Sequence, residues 1–195
     1  MRIRRRKGLQ FGRQRKKLNM TLVKEILTWM IEIVFVVALA FTLVYYVGQR
    51  TKVIGSSMDP QFKDGEQLMI NRFIYIYSEP KPNDIIVFLP NGNVKAHHYV
   101  KRVVACPGDT VQIVNGVLYV NGKAFQEETD VAKMEYAGIA EVEITLGDDE
   151  YFVLGDNRNN SEDSRYANIG VVKKEYIIGK AWFVIAPFSE LGFID

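Results

Sequence analysis

A mainly β domain behind one N-terminal membrane-spanning helix is the fold class this sequence predicts. Three observations carry that expectation. The run Ile26 to Val47 is 22 residues long and holds one charge, Glu32, and about 20 such residues span a bilayer as a helix. Beyond it, Gly, Pro and Asn-Gly punctuation cuts the chain into short runs rich in Val, Ile, Tyr and Phe, as in strands joined by turns. No long 3.6-residue period interrupts those runs. A closed or partly closed barrel is one way for such strands to bury their faces.

The net charge of +2 over 195 residues hides a lopsided distribution: residues 1–17 hold nine basic and no acidic residues, which leaves −7 for the rest. A basic arm can address nucleic acid, but here it precedes an apolar run. The positive-inside rule then places it in the cytoplasm, and no nucleic-acid partner is expected. Trp29 and the Tyr45-Tyr46 pair suit the two lipid–water interfaces. From Ile33 to Val47 only Thr42 is polar, whereas a helix packed on a soluble domain shows a polar face. Ala38-Leu39-Ala40 resembles a leader cleavage site, yet Phe41 to Val47 is still apolar behind it, so the run reads as an uncleaved anchor. The expected division is a basic cytoplasmic arm (1–25), a transmembrane helix (26–48) and an extracytoplasmic β-rich domain (49–195), single-pass in the cell membrane with lipid as a partner. The sole cysteine, Cys106, excludes an intrachain disulfide, so packing alone must hold the exported part.

Within 49–195, Val53-Ile54 leads into Gly55-Ser56-Ser57-Met58-Asp59-Pro60, a turn by composition. Strands are expected at 67–70, 85–89 and 99–105, with Asn91-Gly92 as a hairpin turn between the last two. Thr110–Val114 and Val117–Val120 flank Asn115-Gly116, a strong two-residue hairpin signal. Residues 125–142 read as an irregular acidic excursion, and strands are again expected at 150–154 and 177–185. Between the last two lies a polar loop, 155–168.

Chemistry must come from a nucleophile and a base. A serine hydroxyl is inert until a base takes its proton. His97 and His98 are adjacent and would face opposite ways on a strand, and no Gly-x-Ser-x-Gly elbow accompanies them. Lys101 is the other candidate. In a strand, alternation puts Lys101 and Val103 on one face and Val100, Arg102 and Val104 on the other. A strand lysine is ordinarily a solvated edge residue; to act as a base near pH 8 it must fall roughly two to three units from about 10.4, which an apolar pocket can achieve. The loop 155–165 alternates acids with arginines closely enough to brace itself. Asp156 can pair with Arg102 or Arg158, and Asp163 with Arg165.

Four blocks, Gly55-x-Ser57-Met58-x-Pro60, Tyr99-Val100-Lys101-Arg102, Pro107-Gly108-Asp109 and Gly155-Asp156-Asn157-Arg158-x-Asn160-Ser161-x-Asp163-Ser164-Arg165, stand in this order behind one span. Together they resemble the type I signal peptidase family in its compact Gram-positive style. The resemblance implies a membrane-bound serine endopeptidase that removes signal peptides from exported preproteins after small residues. Ser57 would be the nucleophile and Lys101 the general base, with no metal and no cofactor. Ser161 would hydrogen-bond the lysine amine, and Asp156–Arg102 and Asp163–Arg165 would be bracing ion pairs. Some relatives place a serine hydroxyl in the oxyanion hole two positions before the nucleophile, where this chain has Gly55. Substrate would lie extended along Val53-Ile54, with shallow pockets near Val53, Met58 and Val100. The chain departs from the family pattern at Gln61, usually Thr, and at Asn159, usually Asp. Two other readings compete. A sortase-like site would use Cys106 with His97 or His98 and Arg158, but lacks the Thr-Leu-x-Thr-Cys context. A catalytically silent peptide-binding module would have no use for both Ser57 and Lys101.

Overall fold

The computed structural model describes residues 20–127 and 131–194. The basic arm, 1–17, lies outside them. The chain divides into two compact units, 1–41 and 42–195.

Helix α1 runs from Met20 to Val47, and Met20–Tyr46 is long and apolar enough to cross a membrane. It starts six residues before the apolar run. Met20 to Glu25 continue the same backbone ladder, since lysine, glutamate and leucine are good helix formers whether or not they face lipid.

The second unit is built on antiparallel strands. In chain order they are β1 (Gln49–Lys52), β2 (Gln67–Asn71), β3 (Ile85–Phe88), β4 (Tyr99–Ala105), β5 (Thr110–Val114), β6 (Val117–Val120), β7 (Lys123–Ala124), β8 (Ile144–Thr145), β9 (Glu150–Leu154), β10 (Val172–Lys173), β11 (Ile177–Ala186) and β12 (Gly192–Phe193). One short helix, α2 (Ile74–Tyr77), comes after β2. The larger sheet runs β1-β2-β11-β3-β4-β9-β10, with β12 added on β11; the smaller runs β7-β6-β5-β8. The larger sheet is an open, curled half-barrel whose edge strands are β1 and β10, the partly closed form of the expected barrel. Its curl has visible causes: the pairing of β11 with β2 slips between Ala181 and Phe183 and again between Val184 and Ala186, and such bulges bend and twist a strand.

The hairpin expected at Asn115-Gly116 forms, with Val114 opposite Val117, and both turn residues take positive φ, 52° and 78°, as this turn type requires. Asn91-Gly92 is different. Both residues again take positive φ, 50° and 68°, but they lie inside a longer connection, with Phe88 already paired with Tyr99 across it.

Three apolar clusters fill the unit. Val53, Met58, Phe62, Leu68, Ile70 and Val100 belong to one. Val104, Val111, Leu118 and Phe152 belong to a second, and Ile86, Phe88, Val103, Tyr151 and Val153 to a third. β4 contributes to all three, so it is covered on both faces and paired on both edges, by β3 and β9.

Candidate active site

The position of β4 decides the character of Lys101. An interior strand cannot offer a side chain to water along an edge, and Lys101 is only 3% exposed. The reading of a solvated edge lysine therefore fails. Its neighbour Arg102 points to the other face and is buried as well. There its Nε and Nη2 donate to the two Asp156 oxygens at 2.8 and 2.9 Å, and Nη1 donates to the Asn83 carbonyl at 3.1 Å. Of the two expected partners of Asp156, Arg102 is the one engaged.

Ser57 comes from the turn after β1. Gly55 has φ +79°, a left-handed conformation that an L side chain resists, and its N–H donates to Asp64 Oδ1 at 2.7 Å. The chain then coils so that the Phe62 N–H reaches the Met58 carbonyl at 2.9 Å. That coil turns Met58 inward, where it is fully buried in the first apolar cluster. Met58 thus lies beneath the turn, in one cluster with Val53 and Val100. Ser57 remains partly exposed, and its backbone N–H donates to none of the described residues.

The polar loop closes over this turn. Asp163 receives Arg165 Nε at 2.8 Å and Nη2 at 2.9 Å, and its Oδ2 also accepts the Gly155 N–H at 3.1 Å. The Ser164 hydroxyl accepts the Val153 N–H at 3.0 Å. From this frame Asn157 donates through its backbone N–H to the Ser57 carbonyl at 3.1 Å and through Nδ2 to the Ser56 carbonyl at 3.0 Å. Asn160 Nδ2 donates to the Ser56 hydroxyl at 2.7 Å. These ties were not anticipated, although asparagines in a fixed loop beside a serine turn are the available signal. Gly155 was also missed. A Cβ there would come within 2.2 Å of Ser161 Oγ and 2.4 Å of the Ser57 carbonyl oxygen, so only glycine lets the loop approach the turn. Arg158 pairs with Glu127, from the excursion. Asn159, where the family pattern has Asp, still braces the loop by donating to the Lys133 carbonyl and accepting the Glu135 N–H, both at 3.0 Å.

The two elements bring Lys101 Nζ to 2.7 Å from Ser57 Oγ. Burial pushes the Lys101 ammonium down to about 8, against the opposing pull of Asp163, Glu162 and Asp156. Desolvation wins, and two of these three carboxylates are already committed, Asp163 to Arg165 and Asp156 to Arg102. Ser161 is buried beside this pair, but its hydroxyl makes no hydrogen bond to any described group. The expected bond from Ser161 to the lysine amine is thus not formed, because the hydroxyl is packed against Gly155.

Around the pair lies a cleft of about 240 Å³ lined by Val53, Ile54, Ser57, Val100 and Lys101, with His97, His98, Tyr99 and Glu162 also on its wall. Neither histidine is bonded to Ser57; His98 Nδ1 lies 3.3 Å from Thr51 Oγ1. Cys106 is elsewhere, its thiol 3.5 Å from the Pro80 carbonyl and pushed by burial up to about 11, the wrong direction for a nucleophile. Among the described residues no group of three or more His, Cys, Asp or Glu is arranged to hold a metal ion.

Comparison with known proteins places the chain. The family model "Signal peptidase, peptidase S26" matches residues 26–186. "Signal peptidase I" of Bacillus licheniformis is 35% identical over 174 residues, 86% of this chain and 92% of that protein. "Signal peptidase I T" of Bacillus subtilis (strain 168) is 37% identical over 174 residues, 85% of this chain and 88% of that protein. A crystal structure of a signal peptidase I from Enterococcus faecalis V583 aligns with a TM-score of 0.42 and 32% identity, over 53% of this chain and 97% of that one. With four-fifths of its length matched by the family model and relatives alike along nearly their whole length, the chain belongs to the signal peptidase family, peptidase S26, as a serine peptidase of type I.

Proposed function

We propose that this chain cuts signal peptides from exported preproteins after small residues, of the Ala-x-Ala kind, using Ser57 and Lys101 as a catalytic pair. The observation that carries the reading is the 2.7 Å separation of Lys101 Nζ from Ser57 Oγ, with Lys101 only 3% exposed. Neutral Lys101 accepts the Ser57 hydroxyl proton while Oγ attacks the scissile carbonyl carbon. The developing oxyanion accepts from the Ser57 backbone N–H, which has no partner among the described residues; one such donor is worth about 2.7–4 kcal/mol. The ammonium then gives its proton to the leaving amine, and an ester joins Ser57 to the signal peptide. Lys101, neutral again, takes a proton from water as its oxygen attacks that ester, and returns it to Oγ as the acid departs.

Substrate is held as an added strand. The Val53 N–H and carbonyl are occupied by Glu66 and Gly65 at 2.8 and 2.9 Å, so by alternation Ile54 presents its backbone outward. Val53, Ile54 and Val100 leave shallow room for small side chains. With the basic arm cytoplasmic, the catalytic unit lies on the extracytoplasmic side of the cell membrane.

The test is cleavage of a preprotein by the purified full chain. Ser57→Ala and Lys101→Ala each abolish cleavage, while Cys106→Ala retains it. Normal processing by Lys101→Ala overturns the assignment of the base.

A further inference from the structure

The cleft wall carries a carboxylate that the reaction does not use. Glu162 lines the same cleft as Ser57 and Lys101. Although exposed, it is held at both oxygens: the Tyr99 hydroxyl donates to Oε2 at 3.0 Å, and Asn168 Nδ2 donates to Oε1. Asn168 is fixed in turn, its carbonyl accepting Asn91 Nδ2 at 2.7 Å. A surface glutamate ordinarily keeps its rotamer freedom. Here that freedom has been given up in folding, so the charge acts on an approaching peptide without further ordering.

The other charges of the cleft do not cancel it. Asp156 and Asp163 are neutralised by Arg102 and Arg165, whereas Glu162 has no salt bridge among the described residues. His98 is driven toward its neutral form by burial and by His97. Lys101 is neutral in the form that attacks. In that form, next to the apolar surfaces of Val53, Ile54 and Val100, the cleft offers one fixed negative charge.

We infer that Glu162 is a specificity-determining residue, making the cleft favour a peptide with a basic side chain over one with an acidic side chain at the position lying along this wall. The inference rests on the proposed reading of Ser57 and Lys101, and its test separates the two.

Two preproteins identical except for one residue, Lys or Glu, are cleaved by the full chain, with that residue moved in turn through each position flanking the scissile bond except the two small-residue positions of the Ala-x-Ala site. The readout is the ratio of kcat/KM for the Lys form to the Glu form at one pH, in which any change in Lys101 protonation cancels because both substrates meet the same enzyme. At one position the ratio is about three-fold, as an exposed charge pair provides. It falls to one in Glu162→Gln and inverts in Glu162→Lys. Asn168→Ala, which frees one carboxylate oxygen but keeps the charge, lowers the ratio part of the way. A ratio unaltered by Glu162→Gln, or a preference for Lys at no position, overturns the inference and leaves the catalytic pair standing. Cleavage surviving Ser57→Ala would instead overturn the catalytic reading itself.

Discussion

Replacing Lys101 by Met separates the chemical and the energetic consequences of burying an amine. Lys101 is held at about 8 where an unperturbed lysine has 10.5. At pH 7 about a tenth of the folded molecules then carry the neutral amine, some 300-fold more than without the displacement. The acidic limb of kcat/KM should accordingly have its midpoint near pH 8 in the wild type, and no cleavage should remain in Lys101→Met. The same displacement corresponds to about 3 kcal/mol of disfavoured ammonium. The sign for stability is fixed by linkage. Between about 8 and 10.5 the unfolded chain binds a proton that the folded chain lacks, so the Lys101 contribution to stability rises with pH across that window. Below about 8 both states are protonated and the full cost is present. Lys101→Met should therefore be more stable than wild type by up to about 3 kcal/mol at pH 7, and this advantage should shrink toward pH 10.5. Urea unfolding of the full chain in detergent at pH 7 and pH 10 measures the difference, alongside cleavage rates over the same range. A limb midpoint near 10.5, or a stability difference independent of pH, would refute the argument that desolvation controls this lysine.

The packing around the site sets three further outcomes. Asp156→Asn removes one partner of a pair whose side chains are 4% and 1% exposed, and leaves the Arg102 charge buried; chemical denaturation should show a loss of about 3–5 kcal/mol. Gly155→Ala drives a methyl group against the Ser57 carbonyl, 2.4 Å from the Cβ position, so cleavage should collapse even if secondary structure by circular dichroism is kept. Ser161→Ala deletes a buried hydroxyl without a hydrogen-bond partner. Leaving such a group unsatisfied costs about 1–3 kcal/mol, so the variant's Tm should be equal to or higher than that of the wild type; a marked drop would show that Ser161 is bonded after all.

The strands were legible because turn chemistry and apolar runs are local properties. Asn115-Gly116 needs positive φ at both positions, and that requirement alone predicts the hairpin between β5 and β6. The pairs Asp163–Arg165 and Asp156–Arg102 were also within reach, since opposite charges in mostly apolar surroundings must find one another. Asn91-Gly92 misled for the same local reason: the dipeptide turns the chain, but the register of β3 with β4 closes the loop further out.

By itself, then, the sequence determined the apolar span, the β character of the chain beyond that span, and the order of the blocks that hold Ser57 and Lys101. Each depends on hydrophobic run length, turn stereochemistry or residue identity, which a linear string records. Only the tertiary structure decided that β4 is an interior strand, that Ser161 packs on Gly155 instead of bonding the amine, and that Glu162 is pinned on the cleft wall. These depend on which elements cover which faces. Desolvation of Lys101, and with it the whole character of the site, is a property of that covering and is carried by no residue alone.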